Sequence, residues 1–368
     1  MKVGILGGGQ LGQMLAESAK NLEFEALVLD PKPDAVAAQF ARHLVADYED
    51  PDALDELAAC DVVTYEFENI PTSVLDRLVP RVPVRPAVAS LAISGDRIVE
   101  KELFRELGIA TAPFRKVSSR EDFDLAVREL GLPAILKTRR FGYDGKGQAV
   151  LRSASDLDAA WDRLGAQDLI LEGFVPFDRE VSVLAVRGLD GAMRYWPPTE
   201  NVHVDGILHV SRAPASDVSA ALFESAQGAL EALMARFDYV GVLVVEFFQM
   251  GEQLIANEMA CRVHNSGHWT IEGAETSQFE NHLRAVAGSP LGSTSLRGPS
   301  AMVNLVGAIP DLDEFKDEPG IHVHVYGKTP AVGRKLGHVT IVSEDLALLE
   351  AQLERVLKVV GEPKGAAD

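Results

Sequence analysis

VVEFFQMGEQLIANEMACRVHNSGHWT, residues 244–270, sets two apolar runs on either side of Gly251, the pattern of a buried hairpin. Glu246 and Glu258 each lie six residues from Glu252, so a hairpin symmetric about Glu252 makes them face each other. Cross-strand partners stand about 5 Å apart at Cβ. Two carboxylates at that spacing repel by about 3 kcal/mol at an effective dielectric near ~20. Strands this apolar do not form a solvent-facing hairpin, and a hard cation shared between the carboxylate oxygens removes the conflict. Magnesium beside substrate phosphates is the common case. Directly after the second run come Arg262, His264, Asn265 and His268, which read together as an anion site next to that cation.

Upstream, RRFGYDGKGQ (139–148) puts three glycines and two charged pairs at a hairpin tip. Asp-Gly alone favours a tight turn. Here Lys137 precedes the tip within a strand and Lys146 sits between glycines. Glycine backbone can approach phosphate oxygens closely while lysines supply charge, so the segment is read as a mobile flap over phosphates. It is not a Walker loop, because it joins strand to strand and lacks G-K-[ST]. The flap belongs to a small α-β-β-α-β unit. Its helices are SSREDFDLAVRELG, capped by Ser119 and closed by Gly131, and SASDLDAAWDRLG; its strands are PAILK, QAVLR and DLILEGFV. Before it, Asp96 suits an N-cap, and Val99, Leu103 and Leu107 give the next helix an apolar stripe.

The first ninety residues alternate apolar runs (Val3–Leu6, Ala26–Leu29, His43–Ala46, Val62–Tyr65) with helical patterns, which predicts a parallel sheet flanked by helices. VPRVPVRP (79–86) is the expected exit from that domain. GGGQLG (7–12) matches G-x-G-x-x-G, and Asp30 ends the second run; on their own these two features would suit a dinucleotide-binding oxidoreductase. Near the other end, YGKTPAVGRKLGH (326–338) gathers Lys328, Arg334 and Lys335, a candidate phosphate cluster.

Composition narrows the classes. The chain has 368 residues, 47% hydrophobic and 24% charged, with a net charge of −20, values of a folded protein of two or three domains. The acidic excess argues against nucleic acid and anionic membrane surfaces as partners. No apolar run reaches the ~18 residues of a membrane span, and no secretory pattern opens the chain, so the cytoplasm is expected. Two cysteines, Cys60 and Cys261, are too few for a disulfide framework.

FGYDGKGQ, EGFV with REVSV, the EF…NEM glutamate pair and RVHNSGHWT resemble the ATP-grasp enzymes. Within these they resemble the N5-carboxyaminoimidazole ribonucleotide synthetase family of purine biosynthesis, over essentially the whole chain. The resemblance implies an α/β ATP-grasp fold: an N-terminal Rossmann-like parallel-sheet domain (1–90) and an ATP-grasp domain (91–295) that contains an α+β lid (about 115–176). A C-terminal, mostly antiparallel α+β part (296–368) would pack on that core. It also implies an ATP-dependent ligase that carboxylates aminoimidazole ribonucleotide with bicarbonate through carboxyphosphate, and a homodimer. The sister reading within the same fold uses formate and glycinamide ribonucleotide.

By the resemblance, Arg97 and Lys137 hold ATP phosphates under a flap of Gly142, Tyr143, Asp144, Gly145, Lys146, Gly147 and Gln148. The backbone of Glu172, Gly173, Phe174 and Val175 meets adenine, Glu180 meets the ribose, and His203 and Asn257 complete the nucleotide site. Glu246 and Glu258 bind magnesium, with manganese as a substitute. Arg262 and His264 hold bicarbonate and carboxyphosphate; His264, Tyr143 and Asp144 are the candidate proton acceptors. Gln10, Leu11, Glu66 and Asn265 meet the ribonucleotide, and Lys328, Arg334 and Lys335 its phosphate. Three positions depart from the family pattern: Cys261 replaces a proline, Phe141 a glycine, and Ala260 the asparagine that many ATP-grasp proteins use as a third metal ligand. On this reading Asp30 is a strand-end residue and the glycine loop presents Gln10 and Leu11.

Overall fold

A computed structural model describes residues 1–142 and 146–362. Its first sheet is the expected parallel one, with strands Arg42–Leu44, Glu25–Leu29, Lys2–Leu6 and Val62–Tyr65 in that order. Side chains alternate between two covered faces, as strands buried on both sides require. Val3, Ile5 and Val28 pack with Met14 and Leu15 of helix Gln10–Asn21, whereas Leu6, Leu27 and Leu29 pack with Leu54, Leu57 and Leu75 from the helices opposite. The third strand is shorter than expected. Its last partner is Leu29, where the neighbouring strand ends, so Val45 has nothing to pair with and is exposed. The proline-rich segment 79–86 does not leave at once: Val84 bridges Val63 in parallel, and Arg85 N–H donates to Val63 O.

Asp96 accepts from Ile98 N–H and caps helix Arg97–Glu106. Its buried face differs from the expected stripe: Ile98, Glu100, Lys101, Leu103 and Phe104 are buried and Val99 is exposed. The helix turns two charged residues inward because partners await them there.

The lid is a four-stranded antiparallel sheet in the order Phe114–Val117, Leu169–Gly173, Ala134–Thr138, Gln148–Leu151. Helices Arg120–Leu130 and Leu157–Leu164 cover it, with Phe123 stacked on Trp161. The Ser119 cap forms, and Gly131 takes the positive φ of +76° that ends the first helix. Phe114–Val117 is an edge strand that the sequence pattern missed; its two central residues are charged and exposed.

The third sheet has nine antiparallel strands. Its path runs Gln253–Ala260, Gly241–Met250, Arg179–Arg187, Thr199–Val204, Ile207–Ala213, Ser300–Val306, Lys335–Val342, Ile321–Val325, and Met193–Tyr195 adds to Arg179–Arg187. Helix Ala220–Phe237 covers Val183, Leu243 and Val245 on one face, and helix Gln278–Ala287 covers Leu184, Val242 and Val244 on the other. Helix Leu346–Val360 packs on the C-terminal strands. The buried His282 ties this sheet to the first. Val242 N–H donates to Nδ1 at 3.1 Å, which leaves the ring hydrogen on Nε2 for Thr64 Oγ1 at 2.8 Å. Burial pushes its pKa down to about 3, so the link is made by a neutral ring.

Candidate active site

The hairpin of residues 241–260 turns on Gly251 and Glu252, so its ladder is centred between them: Met250 pairs with Gln253 and Phe247 with Ala256. Regular continuation would set Glu246 opposite Asn257. The register instead shifts by one residue, and Glu246 pairs with Glu258. The two glutamates therefore face each other as the sequence predicts, but through a β-bulge at Asn257 and not through symmetry about Glu252. In a bulge two residues oppose one on the partner strand, so Asn257 and Glu258 both stand opposite Glu246.

Charges around the pair are unequal. Burial and the neighbouring Glu258 push Glu246 up to about 7. Burial acts on Glu258 in the same sense, but Arg97, with Nη1 2.7 Å from Oε2, together with Lys137 and Lys101 outweighs it and holds that carboxyl down at about 2. His264 Nδ1 accepts from Ser266 N–H at 3.3 Å, which leaves its hydrogen on Nε2, 3.5 Å from Glu246 Oε1. Burial, then Arg262 and Lys335, keep this ring well below its usual pKa and neutral. On the far side His203 Nδ1 lies 3.0 Å from Glu180 Oε2. Glu180, His203 and Glu246 each bring one ligand atom within 4.8 Å of the others.

Lys137 Nζ donates to Glu172 Oε2 at 2.9 Å, and Lys101 Nζ is 3.6 Å from Oε1 of the same residue. These lysines and Arg97 overcome the burial of Glu172 and draw its pKa down to about 2. The Glu172 side chain is thereby held inward, and the strand end carries Gly173, Phe174 and Val175 past it. A Cβ at Gly173 would stand 2.8 Å from Pro113 Cγ. Within the flap, Tyr143, Asp144 and Gly145 lie outside the described residues. Gly142, Lys146, Gly147 and Gln148 follow Lys137 and Thr138, and Gly147 combines φ +74° with a Cβ position 2.6 Å from Thr138 Oγ1, so only glycine fits.

The N-terminal glycine loop holds the chain's own carboxylates. Gly8 N–H donates to Asp30 Oδ2 and Gly9 N–H to Glu66 Oε1, both at 2.8 Å. A Cβ on Gly7 would fall 2.7 Å from that same Glu66 oxygen. The amides that a dinucleotide pyrophosphate would need are spent, so the oxidoreductase reading fails on geometry. Gln10 starts the helix and its Oε1 accepts from Lys328 Nζ, while the side chain of Leu11 is buried. Asn265 and Asn304 exchange amide hydrogen bonds at 2.8 and 3.1 Å. Arg262 Nη2 lies 3.1 Å from Glu68 Oε2. The exposed Arg334 donates to Thr329 O, and Lys335 opens the strand whose charge reaches Glu246 and His264.

Four residues here escaped the sequence reading: Glu68, Glu100, Lys101 and Asn304. Only Glu100 and Lys101 left a signal, as charges on what proves to be the buried side of a helix. Of the three departures, Cys261 is a buried free thiol that burial pushes up to about 12, and Phe141 has φ +61° with an exposed ring. Ala260 is buried.

Three family models match: the ribonucleotide synthetase preATP-grasp domain over residues 1–95, the ATP-grasp domain over 102–279, and the phosphoribosylaminoimidazole carboxylase C-terminal domain over 300–352. N5-carboxyaminoimidazole ribonucleotide synthase of Pseudomonas aeruginosa is 51% identical over 97% of this chain and 98% of its own length. The crystal structure of N5-carboxyaminoimidazole ribonucleotide synthetase from Thermus thermophilus superposes with a TM-score of 0.93 at 50% identity, covering 98% of this chain and 99% of that one. The Aspergillus clavatus synthase, solved with ADP and 5-aminoimidazole ribonucleotide, gives a TM-score of 0.90 at 33% identity over 98% of both chains.

Proposed function

The chain belongs to the N5-carboxyaminoimidazole ribonucleotide synthase family of ATP-grasp enzymes, ATP-dependent ligases of purine biosynthesis, and on that premise we propose that bicarbonate is its carbon source and carboxyphosphate its intermediate. A bicarbonate oxygen attacks the γ-phosphorus of ATP and ADP leaves. The exocyclic amine of 5-aminoimidazole ribonucleotide then takes the carboxyl group, either directly from carboxyphosphate or as the CO2 it releases; phosphate departs and the amine loses a proton. Positioning and charge stabilisation carry most of such a transfer.

The observation that supports this best is the adjacency of the glutamate pair to Arg262 and His264. Arg262 supplies a guanidinium, and His264 supplies Nε2–H from a ring that burial keeps neutral. Both are donors suited to bicarbonate oxygens and to the developing oxyanion. As a donor at Nε2, His264 is poorly set to accept the amine proton, which leaves Tyr143 and Asp144 as candidates for that step. Lys137 and Arg97 serve the ATP phosphates beside the flap, Glu172–Val175 the adenine, and Glu180 with His203 the ribose side. Gln10, Leu11, Glu66 and Asn265 orient the ribonucleotide, whose phosphate falls to Lys328, Arg334 and Lys335.

The facing carboxylates and the buried Asn257 Oδ1, which has no partner among the described residues, are hard oxygen donors that fit magnesium or manganese. Glu246 and Glu258 would hold the ion, which would supply positive charge against the transferring phosphoryl group. No helix among the described residues is long and apolar enough to cross a membrane; a homodimer in the cytoplasm completes the reading. ADP release tests it: turnover should require bicarbonate and aminoimidazole ribonucleotide together. Turnover with formate and glycinamide ribonucleotide in their place would overturn it.

A further inference from the structure

The glutamate pair depends on one irregularity, and that irregularity has its own fastening. The bulge at Asn257 brings Glu258 opposite Glu246. Residues from outside the hairpin hold the bulged strand on both sides of Asn257. Ala256 N–H donates to Ala110 O at 2.7 Å, and Ala256 O accepts from Thr111 Oγ1 at 2.8 Å. Asn257 O accepts from Lys101 Nζ at 3.1 Å, and Met259 N–H donates to Glu100 Oε1 at 2.7 Å. Lys101 Nζ also donates to Thr111 Oγ1 at 3.1 Å, which joins the helix to the Thr111 segment. Gln253–Ala260 is the edge strand of its sheet, and two of its outward-facing backbone groups, the Asn257 carbonyl at the bulge and the Met259 N–H just after it, are met by two buried side chains, Lys101 and Glu100. A buried charge without a partner is costly, so these residues are sited where the irregular backbone can use them.

We propose that Lys101, acting with Thr111 and Glu100, is a positioning residue that locks the Asn257 bulge and so sets the register of the metal-binding glutamates. A side-chain period of two means that a one-residue slip changes which face a side chain occupies. Without the clamp the ladder can continue regularly from Phe247–Ala256, which sets Asn257 opposite Glu246 and turns Glu258 to the other face. The tandem Asn257–Glu258 can serve one site only while the bulge lasts. The inference rests on the reading of Glu246 and Glu258 as metal ligands.

The test compares Lys101→Met, Thr111→Val, Thr111→Ser and Glu258→Gln with wild type. Mn2+ binding is followed by loss of the free-ion signal in electron paramagnetic resonance, and the hairpin register by crystallography. Thr111→Val removes the hydroxyl from Ala256 O and Lys101 without touching the Lys101–Glu172 ion pair, so it covers the case in which Lys101→Met fails to fold. Lys101→Met and Thr111→Val should weaken Mn2+ binding by roughly 10–100-fold, the usual scale for groups that orient metal ligands, and Thr111→Ser should restore most of it. Melting temperature alone would not separate a positioning role from a structural one; metal affinity and register do. Wild-type Mn2+ affinity in folded Thr111→Val, with Glu258→Gln defective, overturns the clamp and leaves the metal reading standing. Undiminished binding in Glu258→Gln, or none in wild type, overturns the metal reading itself.

Discussion

Arg97 Nη1 lies 2.7 Å from Glu258 Oε2, so one of the two facing glutamates has an arginine as its partner and the other does not. That asymmetry fixes the sign of a mutational effect. Repulsion between facing carboxylates alone would make Glu258→Gln stabilising. With Arg97 largely buried and deprived of its counter-charge, the substitution should instead cost about 1–2 kcal/mol, between the values for exposed and buried pairs. Magnesium-dependent ADP formation should fall by roughly 100-fold or more, as expected for a lost metal ligand in phosphoryl transfer. Chemical denaturation and a magnesium titration of turnover check the two halves. A more stable Glu258→Gln would show that repulsion dominates after all.

How much of this was legible in the sequence varies from place to place, for physical reasons. The strands of the first sheet followed from alternating apolar runs because both faces are covered by helices, and only the third was overextended, at Val45. The facing glutamates were legible as a pair while their cause was not, since the strand around the bulge bonds to Ala110 O and to the side chains of Thr111, Glu100 and Lys101, all remote in sequence. Glu68 and Asn304 stayed hidden for the same reason: each matters through contacts, to Arg262 and to Asn265, that only the folded chain creates. The glycine loop misled in a different way. G-x-G-x-x-G reports close backbone approach, and here the groups approached are Asp30 and Glu66.

Lys328 gives a pH dependence. Burial lowers its pKa to about 8, although Glu66 pulls the other way. In the free enzyme its charge is therefore lost as pH rises through about 8, and with Lys328 in its proposed place on the ribonucleotide phosphate, kcat/KM for the ribonucleotide should decline there while the KM for ATP holds. Lys328→Met should be weaker throughout and lack that decline. Stability moves the opposite way. The folded pKa is below the ordinary lysine value of 10.5, so between the two the unfolded chain binds more protons and this group's contribution to stability rises with pH. Subtracting the Lys328→Met denaturation profile from that of wild type isolates it.

Phe141 is exposed and holds φ +61°, a left-handed conformation that costs a non-glycine residue about 1–2 kcal/mol. Phe141→Gly removes that cost but increases the freedom of the unfolded chain by about 0.5–1 kcal/mol. The expected result is a protein more stable by about 0.5–1 kcal/mol, and equilibrium denaturation measures it directly. Destabilisation would mean that the phenyl ring makes contacts worth more than the backbone strain.

Arg262 and Arg334 test the two proposed anion sites separately. If Arg262 holds bicarbonate and carboxyphosphate, Arg262→Ala removes a charge-assisted hydrogen bond worth roughly 1.5–3 kcal/mol, or about tenfold to more than a hundredfold in rate. Its loss also leaves Glu68, 3.1 Å away, as an uncompensated negative charge beside the place where an anion must sit, which pushes the effect toward the upper end. Glu68→Gln should therefore recover part of the activity in the Arg262→Ala background, a coupling that a double-mutant cycle reads directly. ATP binding should stay near wild type in both. The Arg334 side chain is exposed and donates to Thr329 O, and the backbone bonds of this residue do not need its guanidinium, so Arg334→Ala should leave the fold intact and raise the apparent KM for the ribonucleotide far more than that for ATP or bicarbonate. Rates at saturating and limiting concentrations of each substrate separate binding from chemistry. Full activity in Arg262→Ala, or loss of ATP binding alone in both variants, would show that the two anion sites are misplaced.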